Sequence, residues 1–371
     1  MRKTLIHNFR SAESFLQNVD WLIFDEQIIS FGNKDHLAEH MENADETVDA
    51  RSGYLSSGLI ETHSHGGNGF ELDSSITSFR EIRKFHQQQG IGKSAISLVS
   101  SKPKHLFAVL ETASKYMDED PDFLGVHLEG PFISHSFKGA HDSDALMDPT
   151  DELIEQLVSI AEKSPKNPIF SMTVAPELFA SKQLSMLSDA GIHLCLGHTN
   201  CDHAQAKEFF ESHGSVMTHA FNAMPGIHHR EPGPIPAAIT SQGSYLELIV
   251  DGVHVDSEVI KLIDPAKVIL VTDSMNAAGL GDGEFTLGSL CVEVSEGIAR
   301  TEEGALAGST LTLPEAVKNY AAIASKEQAI RSATSKPAEA YGLKTPAMEP
   351  GQDAKLILWD EDMNIRRTFN Y

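Results

Sequence analysis

Two histidines one residue apart, His63 and His65, close the apolar run Ser57–Thr62 and are followed by Gly66. In an extended strand alternate side chains share a face, so both imidazoles project to the same side. Neutral imidazole is the commonest side-chain metal ligand. Gly66 lets the backbone turn away without placing a side chain in the pocket. Alone, an H-x-H is a weak signal in a chain with 18 histidines. Its weight comes from residues of the same kinds farther along: Glu129, His198, His219, His254 and Asp273 each end an apolar run of their own. Taken singly, each reads equally well as a polar residue leaving the core or as a cap on the next helix. Taken together, imidazoles and carboxylates in equivalent positions are the nitrogen and oxygen donors that a divalent ion takes.

Equivalent positions require a repeating framework, and the chain supplies one. The spacing predicts eight strands: Gly58 to His63, Ala95 to Ser100, Gly125 to Gly130, Ile169 to Glu177, His193 to Thr199, Val216 to Met224, Tyr245 to Val255 and Val268 to Ser274. Helix-like stretches separate most of them, at Ser78 to Gln89, Pro103 to Met117, Pro149 to Lys163, Ser181 to Ala190, Asp202 to His213 and Asp256 to Ile263. Pro149-Thr150-Asp151 and Asn200-Cys201-Asp202 are suitable helix starts. Between strands six and seven, Ile235 to Gln242 supplies only a short helix. Strands alternating with helices fit an α/β fold of the (β/α)8 TIM-barrel type better than a doubly wound sheet. Barrels of this type carry their chemistry at the C-terminal ends of the strands, where the residues named above fall.

The motifs at these ends resemble the amidohydrolase superfamily and, within it, the N-acetylglucosamine-6-phosphate deacetylases. They are IETHSHG at 60–66, HLEGPFIS at 127–134, KGAH at 138–141, GHT at 197–199, THAFNAM at 218–224, DGVHV at 251–255, LVTDS at 270–274 and LAGST at 306–310. The pairing of LEGPF with THAFNAM is the most specific element, since an H-x-H and a late Asp are common to the whole superfamily. The resemblance implies hydrolysis of the acetamide of N-acetylglucosamine 6-phosphate to acetate and glucosamine 6-phosphate. It implies one metal on Glu129, His198 and His219, with a water completing the set. A second metal is allowed on His63, His65 and Glu129. Zn2+ is the default for these donors, with Fe2+, Mn2+ and Co2+ also suited. Asp273 matches the general acid/base. Ala140, His141, Asn222, Ala223, Arg230, Asp251, His254, Leu306, Ala307 and Gly308 match the substrate contacts, Arg230 being the best phosphate partner because a guanidinium fork fits phosphate oxygens. No lysine lies in Ile169 to Glu177, which counts against the superfamily members that bridge their metals with a carboxylated lysine.

Length and composition agree. A chain of 371 residues with 41% hydrophobic content can build one large barrel and a small appendage. The resemblance places that appendage in a small β-sandwich made by both termini, dividing the chain at 1–55, 56–346 and 347–371. Residues Gly279 to Gly304 read as a hairpin over the site. A net charge of -24 argues against nucleic acid and anionic membrane surfaces as partners, and it leaves a phosphate to local groups such as Arg230. Three cysteines without paired spacing suit a reducing cytoplasm, and no apolar leader or 18-residue apolar run appears. A homodimer is implied by the resemblance alone. Ser57 and Glu61 depart from the family's usual Pro and Asp and are expected to be without consequence. Ser274-Met275-Asn276 and Thr199-Asn200 also depart, at positions expected to border the sugar. N-acetylgalactosamine 6-phosphate, another N-acyl substrate, and a non-catalytic sugar-phosphate-binding barrel are the alternatives.

Overall fold

Continuous apolar runs bounded by turns need cover on both faces, and a parallel sheet wrapped in helices provides it. In the computed structural model, which describes residues 2–12, 16, 18–345 and 348–371, eight parallel strands pair in sequential order. They are Leu59–Glu61, Ile91–Val99, Phe123–Glu129, Ile169–Val174, His193–Leu196, Gly214–Met217, Tyr245–Leu248 and Val268–Leu270. Closure comes just beyond the first and last of these. The Asp273 amide donates to the His63 carbonyl at 2.9 Å and the His65 amide donates to the Ser274 carbonyl at 2.8 Å, so the segments carrying the first two histidines and the final aspartate are themselves the barrel seam.

The helices follow the expected order at Ile76–Gln88, Pro103–Glu119, Asp151–Lys163, Ser181–Asp189, His203–Ser212, Pro234–Thr240 and Ser257–Ile260. Ile76–Gln88 shows why they dock. Phe79, Ile82, Arg83 and His86 recur at helical spacing and are buried, while Ser75 caps the N-terminus. Thr150 and Asp202 cap the third and fifth helices. Cys201 is buried beside the latter cap.

Most strands are shorter at their C-terminal ends than the apolar runs suggest. Strand six stops at Met217 rather than Met224, and strand seven at Leu248 rather than Val255. The physical reason is backbone torsion: His198, His219, Phe221, Ala223 and Asp273 all have positive φ, which no strand accommodates.

The termini form two four-stranded sheets. One is built from Thr4–His7, Trp21–Phe24, Ile28–Gly32 and Glu46–Asp49, the other from Arg10–Ser11, Tyr54–Ser57, Leu356–Trp359 and Ile365–Phe369. Ile6, Leu22, Phe24, Leu55, Leu356, Leu358 and Phe369 share one core between them. The chain passes from this unit to the barrel at Gly58, whose amide still donates to Lys355. The expected boundary between residues 346 and 347 lies outside the described residues. A three-stranded antiparallel sheet, Gly283–Leu287, Leu290–Ser295 and Ile298–Thr301, occupies the expected hairpin insertion. Among the described residues no helix is long and apolar enough to cross a membrane.

One buried cation locks the helix Ile76–Gln88 onto strand two. Arg83, 1% exposed, donates to Asp120 at 2.8 Å, Ser94 Oγ at 2.9 Å and the Gly92 carbonyl at 3.3 Å. Replacing Arg83 with Ala leaves these acceptors without their donor and is expected to cost about 3 kcal/mol in a urea unfolding curve; an unchanged midpoint would show that the network contributes nothing.

Candidate metal centre and active site

The strand ends converge on one carboxylate. Glu129 ends strand three, is 3% exposed, and has five imidazoles around it. Its Oε1 lies 2.9 Å from His219 Nε2, 3.1 Å from His198 Nε2 and 3.5 Å from His63 Nε2; its Oε2 lies 3.1 Å from His141 Nε2 and 3.2 Å from His65 Nε2. Asp273 Oδ1 stands on the other side of the strand-one pair, 3.4 Å from His63 Nε2 and 3.1 Å from His65 Nε2. The structure therefore brings together all six residues expected to hold metal or move protons.

Hydrogen-bond roles distinguish these rings. His198 Nδ1 lies 2.8 Å from the Phe137 carbonyl, which only accepts, so Nδ1 carries the proton and Nε2 presents a lone pair to Glu129. Burial holds His198 down at about 4, in the neutral form. A lone pair 3.1 Å from a carboxylate oxygen is repulsive unless a cation lies between them. His219 Nε2 is also 3.0 Å from His198 Nε2. A tetrahedral ion with ~2.0–2.1 Å bonds separates its ligand atoms by roughly 3.3 Å, close to the spacing of these three. His63 Nε2 is buried with no hydrogen-bond partner. His63, His65, Glu129 and Asp273 each offer a ligand atom within 4.8 Å of the others. The donor set and the orphaned nitrogen both fit a divalent cation.

His141 differs. Its Nδ1 meets Ser100 twice, the amide at 3.2 Å and, at 2.8 Å, the Oγ whose own proton goes to the Glu129 carbonyl. Its Nε2 lies 3.1 Å from Glu129 Oε2, and Glu129, His141 and His198 each offer a ligand atom within 4.8 Å of the others. Without a cation, the remaining charges compensate one another. Burial pulls the His65 and His219 imidazoles down, but their hydrogen bonds to Asp273 and Glu129 dominate and bring them to about 10 and about 9. Burial raises the Glu129 and Asp273 carboxyls, yet the surrounding imidazoles hold Glu129 well below the usual carboxylate range and Asp273 at about 2. A bound cation would replace those imidazole protons in the same role.

Above this cluster lies a cavity of ≈ 260 Å³. Ala140, His141, Asn222, Ala223, His254, Leu306 and Gly308 line it as expected, joined by Gly139, Ala305 and, from the insertion, Leu287. Three expected contacts lie elsewhere. Ala307 packs into a core with Val99 and Met275. Asp251 turns onto His254, accepting from its Nδ1 at 2.7 Å and from the amides of Val253 and His254, so it orients that ring. Arg230 is exposed on the Gly226–Gly233 loop and donates to His229. The positions expected to border the sugar do not line this cavity either: Ser274 is tied to Ser64 and Gly66, Met275 is in the core, and Thr199 bonds to Glu177. Asn276 faces a neighbouring cleft of ≈ 720 Å³ that shares Ala140, His141 and Leu287 as its wall.

Two glycines are set by close approach. A Cβ on Gly66 would lie 2.1 Å from the Phe70 carbonyl, and one on Gly197 would lie 2.7 Å from Thr218 Cβ. Gly66 thus serves a tight hairpin, and Gly197 keeps the strand-five end narrow beneath His198. Glu61 is fully buried, its Oε1 accepts from the His63 amide, and burial raises it to about 8. It is a structural feature of the site that the expected neutrality of this position missed. Glu247 was also missed, although a charged residue inside the apolar run Tyr245–Val250 is a readable signal.

The barrel, with histidines on strand one and an aspartate after strand eight, is the architecture of a metal-dependent hydrolase, and a family model agrees: the Amidohydrolase family matches residues 54–371. The chain belongs to that family. It is similar to the N-acetylglucosamine-6-phosphate deacetylase of Vibrio furnissii, at 31% identity over 327 residues, covering 85% of this chain and 81% of that one. It is also similar to the N-acetylgalactosamine-6-phosphate deacetylase of Escherichia coli O157:H7, at 28% identity over 320 residues, 83% and 84% of the two chains. The crystal structure of N-acetylglucosamine-6-phosphate deacetylase from Thermotoga maritima superposes with a TM-score of 0.86 at 30% identity, covering 98% and 97%.

Glu129 touches every imidazole of the cluster, so Glu129→Gln is expected to weaken zinc binding by more than about 100-fold. Competition against a chromophoric chelator measures this, with circular dichroism checking the fold. Undiminished zinc uptake would remove Glu129 from the metal centre.

Proposed function

We propose that this chain hydrolyses the acetamide of N-acetylglucosamine 6-phosphate to acetate and glucosamine 6-phosphate. The observation that carries this reading is the placement of Asp273 within 3.4 Å of two imidazoles that share Glu129 with His198 and His219. This cluster forms the floor of a cavity sized for a small polar ligand. Glu129, His198 and His219 would hold one divalent ion, most simply Zn2+, and His63 with His65 offers a second position. Such an ion supplies a ligated water of near-neutral pKa and polarises an amide carbonyl.

The chain's own groups do the rest. Asp273, ionised at neutral pH, takes a proton from the attacking water as its oxygen bonds to the acetyl carbon. It then delivers that proton to the amide nitrogen as the C–N bond breaks, leaving acetate and the free amine. His141 and His254 line the cavity as partners for the substrate's oxygens, with Asp251 fixing the His254 ring through Nδ1. Arg230 does not line the cavity of its own chain, so we assign it to the phosphate of a substrate bound in the partner of a homodimer. Free cysteines suit the cytoplasm as its compartment.

The Escherichia coli relative supports a second reading, in which the substrate is the galactosamine epimer. Acetate release by the zinc-loaded protein, measured with both epimers and with the unphosphorylated sugar, separates the two. Rapid turnover of the glucosamine phosphate alone is expected, and no turnover of either phosphate would sink the deacetylase reading. Asp273→Asn is expected to lower kcat by roughly 10²–10⁴-fold while substrate still binds; unchanged turnover would remove Asp273 from the mechanism.

A further inference from the structure

Below the metal cluster, inside the barrel, lies a carboxylate that the mechanism does not use. Glu247, from the middle of strand seven, is 0% exposed. Its Oε1 accepts two hydroxyl hydrogens, from Thr62 at 3.0 Å and from Tyr341 at 2.9 Å. Its Oε2 faces His63 Nδ1 at 3.3 Å. Leaving a charge in a barrel interior is costly unless its lone pairs are matched, and here three elements match them. Thr62 comes from the seam of strand one. Tyr341 follows the helix Ser335–Ala340 and is itself in contact with Cys195 of strand five, 3.5 Å away.

We infer that Glu247 is the positioning residue for His63: it fixes the proton on Nδ1 and so turns the Nε2 lone pair toward the metal cluster. With Oε1 already accepting two hydroxyls, Oε2 is the acceptor left for the ring, and an N–H on Nδ1 matches it. Nε2 is then left as a bare lone pair, and the structure shows it buried without a hydrogen-bond partner, 3.5 Å from Glu129 Oε1 and 3.4 Å from Asp273 Oδ1. A carboxylate behind the remote nitrogen is how a ligating imidazole is held in one tautomer and made more basic. His65 has no such support: its Nδ1 is buried without a partner. The strand-one position is therefore anchored through His63, whose ring is oriented from strand seven by a carboxylate that Thr62 and Tyr341 hold in place.

This inference rests on the reading of the cluster as a metal centre. Its test is Glu247→Gln in the full-length protein. Glutamine can still accept from Thr62 and Tyr341, so a merely structural role survives, but its amide turned to His63 meets an N–H with an N–H or forces the other tautomer. In zinc titrations against a chromophoric chelator, the variant should bind the ion of the strand-one position about 10- to 100-fold more weakly, with the ion on Glu129, His198 and His219 retained. Equal affinity and equal stoichiometry in the two proteins would overturn the inference and leave the metal reading intact. A chain that takes up no zinc in either form would overturn the metal reading, and this inference with it. Should the variant not fold, ¹⁵N-histidine spectra of the unaltered zinc-loaded protein, with His63 assigned by difference from His63→Asn, give the same answer: a proton on Nδ1 is expected, and an unprotonated Nδ1 overturns the proposal.

Discussion

The burial of Glu129 is the constraint from which the rest of this architecture follows. A carboxylate at the mouth of a barrel, nearly without water, must be compensated by positive charge. Five imidazole nitrogens lie within 3.5 Å of its oxygens, and His65 and His219, raised to about 10 and about 9, carry that charge. Each comes from a different strand end or following loop, apart from the strand-one pair, so the compensation requires a complete and closed barrel. His198, held neutral by burial and donating through Nδ1 to a backbone carbonyl, supplies no such charge. A divalent cation satisfies the same carboxylate without those protons.

Holding so many side chains at one point strains the backbone. His198, His219 and Asp273 occupy the left-handed region, with φ of 46, 26 and 48°, a conformation that residues with a Cβ adopt only when their surroundings impose it. The surroundings are visible. The Asp273 amide is tied to the His63 carbonyl, the amide of Ala220, next to His219, to the Glu247 carbonyl, and the His198 carbonyl to the Ser134 amide. The strands stop where they do so that these residues can turn inward.

Underneath, the barrel interior is polar where an apolar filling is usual. His127 bonds to Ser171 and Thr173, Thr173 to Thr218, and Glu61 and Glu247 flank His63. Apart from Glu61, which belongs to strand one and accepts from the His63 amide, each partner is a side chain from another strand. This layer ties the strand ends to one another through side-chain hydrogen bonds, and such bonds specify one arrangement more tightly than apolar packing would.

The sequence by itself determined the class of fold and named most of the residues that meet around Glu129, because both are written in local patterns. Apolar runs of strand length, helix caps such as Thr150 and Asp202, and an imidazole or carboxylate closing most of the runs are all short-range features. Only the tertiary structure decided which of those residues meet and which nitrogen each ring presents. Asp251 and Ala307 share the motifs DGVHV and LAGST with cavity residues yet face elsewhere, since a loop's direction depends on what packs beneath it. Tautomers depend on partners far along the chain: Phe137 for His198, Ser100 for His141, Glu247 for His63. Hydrogen bonds between residues 41, 61 and 184 positions apart leave no periodic trace in a sequence, because nothing but the closed barrel makes those residues neighbours.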